Sequence, residues 1–232
     1  MNVGGLAKLR HAVRHRPRRV AAGFLLCAVL LSVLLVVQTR DSETHGRRCA
    51  AAGAVSMPRR TVNDAELSQR QLRCADLERS TVDGFVREAN LSGSNLHEAN
   101  LRTVSMENVD LTGADLTGAD VRDATLTGVE LGRADLRRTT WNGSTFADTG
   151  LRGAVLRDAH LRQTEFRRSD FGGADVRGAD LSGALLADTD LRGARLDDAD
   201  LDNVTWVNVV CPDGTKSGGD RRESCAGHLT PK

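Results

Sequence analysis

From Val86 to Trp206 every fifth residue of the chain is apolar, through 25 consecutive positions without a polar exception. The series begins Val86, Leu91, Leu96, Leu101, Met106, Leu111, Leu116, Val121, Leu126 and keeps its phase to the end. Neither regular element suits this period. On an α-helix a step of five turns the side chain by about 500°, so successive apolar groups lie about 140° apart and wrap around the cylinder. On a flat strand an odd step alternates faces, and half of these groups would meet water. A chain that turns a corner every five residues points all of them inward.

The rest of each unit supplies the corner. Two residues before each centre stands a small or short residue, Ala at 13 of the 25 positions and otherwise Val, Thr, Ser or Gly. Asp or Asn often lies between the two. Gly is frequent two residues after the centre, as at Gly113, Gly118, Gly128, Gly153, Gly173 and Gly193. These are turn residues. Coils built this way pair backbone to backbone at a spacing of about 4.8 Å, and each coil touches only its neighbours. Large rings are scarce, with five Phe, two Trp and no Tyr, so the interior is assembled from small aliphatic pieces.

Units such as Ala114-Asp115-Leu116-Thr117-Gly118 resemble those of the pentapeptide-repeat family, of the form Ala-(Asp/Asn)-Leu-x-x. The resemblance covers residues 65–211. It implies an all-β, right-handed quadrilateral β-helix solenoid with four repeats per coil, the centre and the small residue both facing a narrow interior. Residues 20 apart then stack. One column reads Val86, Met106, Leu126, Phe146, Phe166, Leu186, Trp206 and holds three of the seven aromatic residues. A stack of Phe146 on Phe166 is expected inside, with Phe171 and Trp141 in adjacent columns. The main β-helix over 86–210 amounts to about six coils, on the order of 30 Å long. An earlier run, Leu67, Leu72, Leu77 and Val82, has the same period in another phase, since Val82 and Val86 are four residues apart. Residues 61–85 therefore read as a first coil with a register slip at Asp83-Gly84-Phe85, where a kink or short loop is expected.

Ahead of the repeats the chain changes character. Residues 1–19 hold six Lys and Arg and no acid. Residues 20–37, VAAGFLLCAVLLSVLLVV, carry no charge. As a helix they would rise about 27 Å, close to a hydrocarbon core of about 30 Å. One N-terminal transmembrane helix is expected, with a basic cytoplasmic N-terminus and an extracytoplasmic body. A cleaved signal peptide has a shorter apolar region ending at a small-residue site; here Gln38, Thr39, Arg40 and Asp41 follow directly. Cys27, in mid-span, reads as apolar filler. Residues 38–60 read as a flexible linker.

Cys49, Cys74, Cys211 and Cys225 all follow the apolar segment. An even count on an oxidising side suggests two disulfides, for which three pairings exist. Nearness in sequence favours Cys211–Cys225 and Cys49–Cys74. Residues 211–232 then form a disulfide-closed cap over the last coil, whose strand edges would otherwise recruit other chains. A zinc site from Cys211, Cys225 and His228 would need a further ligand.

Little else in the sequence points to chemistry. None of the six His is paired at a metal-ligand spacing, and His97 and His160 fall beside repeat centres, facing outward. The recurring Asp residues, among them Asp110, Asp115, Asp120, Asp135, Asp175 and Asp180, read as corner hydrogen bonding and a solvated face. There is no Gly-rich phosphate loop or nucleophile elbow. No cofactor, metal or catalytic residue is expected, and the chain reads as no enzyme. Residues 61–210 carry 17 Arg against 26 Asp and Glu, a net charge of −9, which makes nucleic acid an unfavourable partner. Within this body residues 131–170 are locally basic. With a 20-residue coil Arg137, Arg157 and Arg177 align, and Arg152 and Arg162 lie on overlapping coils. These five could form an anion-binding belt for a cell-surface polymer or lipid headgroup; the other reading is a face whose arginines pair with neighbouring Asp. The function expected is a membrane-anchored binding surface or scaffold for a protein or anionic polymer. The family resemblance implies an alternative, imitation of duplex DNA toward DNA gyrase, which a basic belt and an extracytoplasmic location both disfavour.

Overall fold

The computed structural model describes residues 55–217 and 225–227. The apolar segment 20–37 and the linker as far as residue 54 lie outside them. Among the described residues no helix is long and apolar enough to cross a membrane.

The described chain is a mostly-β solenoid of about seven turns. It begins with β1 (Thr61–Val62), a single helical turn α1 (Asp64–Leu67) and β2 (Thr81–Val82). Seven strands follow in one parallel sheet, in sequence order: β3 (Phe85–Arg87), β4 (Ser105–Glu107), β5 (Thr125–Thr127), β6 (Thr145–Ala147), β7 (Glu165–Arg167), β8 (Leu185–Ala187) and β9 (Thr205–Val207). Each strand pairs with the residues 20 positions further on, as in Val86 with Met106 and Leu186 with Trp206. The other three sides of each turn are joined by single bridges, such as Asn90 to Asp110, Asn95 to Asp115 and Asn100 to Asp120. Bridges five residues apart with a 20-residue offset make four sides per turn.

One side is strand and three are bridges for a reason written in the residue before each centre. On the bridge sides that residue is mostly Asp or Asn. Its side-chain oxygen accepts from the N–H two residues on: Asp110 from Thr112 at 2.9 Å, Asp115 from Thr117 at 2.9 Å, Asp180 from Ser182 at 3.0 Å. The short side chain thus mimics a backbone turn and bends the chain. On the strand side the same position holds Ser105, Thr125, Thr145, Glu165, Leu185 and Thr205. No Asp or Asn closes the turn there, and β-branched Thr favours extended backbone.

The interior is solid. The repeat centres from Val86 to Leu196 and the Ala residues two before them, as far as Ala194, are buried. Where Ser or Thr replaces Ala inside, its hydroxyl donates to a backbone carbonyl: Thr139 to Leu136 at 2.6 Å, Ser144 to Val121 at 2.7 Å. A buried hydroxyl without such a partner would be costly. Trp141 has its indole N–H on Thr139 Oγ1 at 2.7 Å. Phe146 and Phe166 stack with ring centroids 4.6 Å apart and planes at 27°. The stack extends at both ends, to Trp141 against Phe146 at 4.9 Å and Phe171 edge-on to Phe166 at 4.9 Å.

The register slip does not break the column. Leu72, Leu77 and Val82 donate their N–H groups to Asn90, Asn95 and Asn100, so this turn pairs with a 19-residue offset. Below it the offset is again 20, Thr61 to Thr81 and Ser56 to Asp76. In place of a kink or loop there is one tight corner. Gly84, at φ +88°, takes it in a left-handed conformation that a side chain would strain. Among the described residues the stack therefore begins at Ser56, inside the stretch 38–60 read as a linker, and this first turn adds to the six coils of the main series. α1 replaces a strand at the bottom of the strand side; Asn63 caps it in a reciprocal pair with Glu66, and Leu67 is buried.

The residue two after each centre is left-handed whether or not it is Gly. Among the described residues 19 non-glycine residues have positive φ, nearly all at this position. Thr103, with φ +58°, is β-branched and therefore poorly suited to it. A left-handed L-residue costs about 1–2 kcal/mol and the extra unfolded freedom of Gly about 0.5–1 kcal/mol. Thr103→Gly is accordingly expected to stabilise the solenoid by about 0.5–1 kcal/mol; a lower denaturation midpoint in urea would contradict this.

Candidate functional site

With the interior filled, the surface columns carry whatever the molecule does. Arg137, Arg157 and Arg177 occupy equivalent positions on three successive turns, and each meets a carboxylate. Arg137 Nε donates to Asp135 Oδ1 at 2.8 Å and Arg177 Nε to Asp175 Oδ1 at 2.7 Å. Arg157 Nε reaches one turn up to Asp175 Oδ2 at 2.8 Å, so that Asp175 ties two turns together. Arg152 Nη1 donates to Asp170 Oδ2 at 3.0 Å, and Arg162 lies 3.8 Å from Asp180. Arg168 holds Asp148 on the turn below through two bonds, of 2.6 and 2.8 Å. The belt is thus a lattice of ion pairs. An incoming anion would have to displace carboxylates already in place.

A shallow hollow of 360 Å³ opens beside the belt, between Glu130, Gly150, Arg152, Arg168 and Asp170. It exists because Gly150 lacks a side chain in a column otherwise filled by Asp110, Glu130, Asp170 and Asp190. The Glu130 carboxylate folds into the gap, where a Cβ at Gly150 would collide with it.

These pairs set the titration of the surface. The Arg122 guanidinium beside Asp120 holds its carboxyl below the usual range, and Arg168 and Arg192 do the same for Asp148 and Asp190. Arg79 lowers Glu98 across one turn. At Asp180 burial pushes upward, but the Ser182 hydroxyl and backbone N–H, with Arg162 and His160, bring the balance below the ordinary value. Each group has a folded pKa depressed below its unfolded one. Its contribution is complete above the ordinary values of 3.8 for Asp and 4.5 for Glu, and is lost as pH falls through the lower folded values. The melting temperature is expected to be flat from about pH 8 to about pH 5 and to fall below about pH 4. Arg122→Gln, Arg168→Gln and Arg192→Gln together should flatten that fall; an unchanged acid limb would show that these pairs do not cause it.

At the far end Cys211 and Cys225 are joined by a disulfide with their Cα atoms 5.5 Å apart, and both are buried. Residues 210–216 fold back as a hairpin: Val210 pairs antiparallel with Lys216, and Cys211 donates to Thr215 O at 2.7 Å. Pro212 O accepts from Gly193 N on the turn below at 2.9 Å. Cys74 is also disulfide-bonded; Cys49, its expected partner, lies outside the described residues, as does His228. His97 is half-buried with Nε2 3.4 Å from Glu98, and His160 is exposed. Among the described residues no group of three or more His, Cys, Asp or Glu side chains could hold a metal ion.

Two features escaped the sequence reading. The hollow at Gly150 was marked only by a Gly in a column of larger residues. The last full turn was marked by the run Leu196-Asp197-Asp198-Ala199-Asp200-Leu201-Asp202, whose Asp density exceeds that of any earlier turn.

A family model of pentapeptide repeats, in eight copies, matches overlapping stretches from residue 89 to residue 205. Among curated proteins no match is found. Several solved structures are similar. HetL from the cyanobacterium Nostoc, a pentapeptide repeat protein involved in heterocyst differentiation regulation, is 24% identical; the match covers 73% of this chain and 96% of HetL, with a TM-score of 0.32. A pentapeptide repeat protein of the Arabidopsis thaliana thylakoid lumen is 28% identical over 45% of this chain and 70% of its own, with a TM-score of 0.35. QnrB1, a plasmid-mediated fluoroquinolone resistance protein, is 17% identical over 66% of this chain and 73% of its own, with a TM-score of 0.29.

Proposed function

Since the chain belongs to the pentapeptide-repeat family, we propose that it is a non-catalytic binding scaffold, tethered to a membrane by residues 20–37 and displaying its solenoid on the extracytoplasmic side. The observation that carries the scaffold reading is the filled interior. Centres and Ala positions are packed against one another from Met57 to Val209, so a partner can meet only the outward columns, on a fixed 20-residue spacing, or the ends of the stack. Such a stack holds its surface groups in place by backbone pairing on all four sides, which lowers the ordering cost of binding. The membrane tether rests on the uncharged run and the six basic residues before it. The disulfide of Cys211 with Cys225 suits an oxidising compartment. The winding is taken as right-handed, as in the family.

Photo-crosslinking residues placed in intact cells at Thr125, Arg157 and His160, one on each of three sides, and at Asp202 on the C-terminal edge test the scaffold reading. A discrete adduct from one position is the expected outcome. No adduct from any position, with the protein folded and at the membrane, would overturn it. The net charge of −9 over residues 61–210 also suits imitation of duplex DNA toward DNA gyrase, and the ion-paired belt interrupts that acidic surface less than its arginine count suggests. That partner requires the solenoid to be cytoplasmic.

A further inference from the structure

Among the described residues the backbone ladder is left unpaired at its C-terminal end, except where the hairpin of 210–216 continues it. On the turn beneath, Val176, Gly178, Leu181, Gly183 and Asp188 each donate an N–H upward, to Arg195, Asp197, Asp200, Asp202 and Val207. Their counterparts one turn on are Leu196, Asp198, Leu201, Asn203 and Asn208. None of these five N–H groups has an acceptor among the described residues. The hairpin of residues 210–216 continues only the side that follows β9. Leu201 and Val204, equivalent to fully buried positions on earlier turns, remain partly exposed at this end.

The same edge is acidic. Asp197 lies 3.7 Å from Arg195, whereas Asp198, Asp200 and Asp202 are exposed and have no cation within pairing distance among the described residues. Unpaired donors along three sides of a turn recruit an added segment of backbone. Three unmatched carboxylates beside them select its charge and repel a second copy of the same edge.

We propose that this edge is a docking site for a Lys- or Arg-bearing polypeptide segment of another protein, which follows the corners of the last turn and adds as the next turn over residues 196–208. Its carbonyls accept from Leu196, Asp198, Leu201, Asn203 and Asn208, and its basic side chains meet Asp198, Asp200 and Asp202. The assignment rests on the binding-scaffold reading and adds the chemistry of the partner.

The full-length chain in detergent micelles, titrated with a short peptide alternating Lys with Val, tests it. The peptide is expected to slow amide exchange across 196–208 and to bind about tenfold more tightly than the same peptide with alternate amides N-methylated. It should also bind about tenfold more tightly than to the D198N/D200N/D202N variant, whose melting should match the parent. Equal binding of the N-methylated peptide would reduce the attraction to charge alone and overturn the proposal. So would binding without protection of 196–208, or self-association that protects this segment without peptide. A crosslinked adduct from another side of the solenoid would leave the scaffold reading standing while the edge failed.

Discussion

Phe166→Ala is expected to cost the solenoid about 3–5 kcal/mol, as for other buried rings cut to a methyl group. The ring is fully buried and touches two others, stacked on Phe146 at 4.6 Å and edge-on to Phe171 at 4.9 Å. Removing it leaves a cavity that backbone pairing above and below prevents from closing. Because each turn touches only its neighbours, the loss falls on the turns around 146–186. Amide exchange should quicken there before it does near Val86. Phe166→Leu is expected to cost less than about 1.5 kcal/mol, since the column already carries Leu126 and Leu186 at equivalent positions. A Phe166→Ala loss below about 1 kcal/mol would mean that the stack is loose and the interior less solid than described.

The second large effect lies at the cap. Cys211→Ala with Cys225→Ala removes a cross-link spanning 14 residues, worth about 3 kcal/mol on the chain-entropy model. Both sulfurs are buried, so the cost includes lost packing. Cys225 lies far from the last repeat in sequence and is held at the end of the stack by this bond. Urea unfolding should begin at the C-terminal turns in the double variant, seen as early exposure of Trp206, which is 4% exposed in the intact chain. Retention of the parental midpoint would show that the hairpin of 210–216 holds its side of the last turn without the bond.

Much of this fold was legible in the residues. The five-residue period fixed which side chains face inward, and the 20-residue column brought Phe146 onto Phe166. The contacts of Trp141 and Phe171 with that pair do not follow from the columns, which relate residues along one side only. The interior is narrow enough for large rings to meet across a corner. The slip at Val82 suggested a kink, yet a left-handed Gly84 absorbs the missing residue and backbone pairing continues. Which side is strand emerges only in the structure, where the column Ser105, Thr125, Thr145, Glu165, Leu185, Thr205 lacks Asp and Asn. The arginine belt was the least legible. Its residues do align, but the sequence does not say that Asp135, Asp170, Asp175 and Asp180 reach them first. Pairing of that kind depends on which carboxylates the turns bring alongside, one step above or below in the stack.

Protease treatment of intact cells carrying a tag at each end of the chain tests the extracytoplasmic scaffold most directly. Loss of the C-terminal tag, with the N-terminal tag and a cytoplasmic control protected, is the result predicted by the six basic residues before the uncharged segment. Protection of the C-terminal tag, with an external control cut, would place the solenoid inside. It would contradict the extracytoplasmic reading and make imitation of DNA toward gyrase the function to pursue.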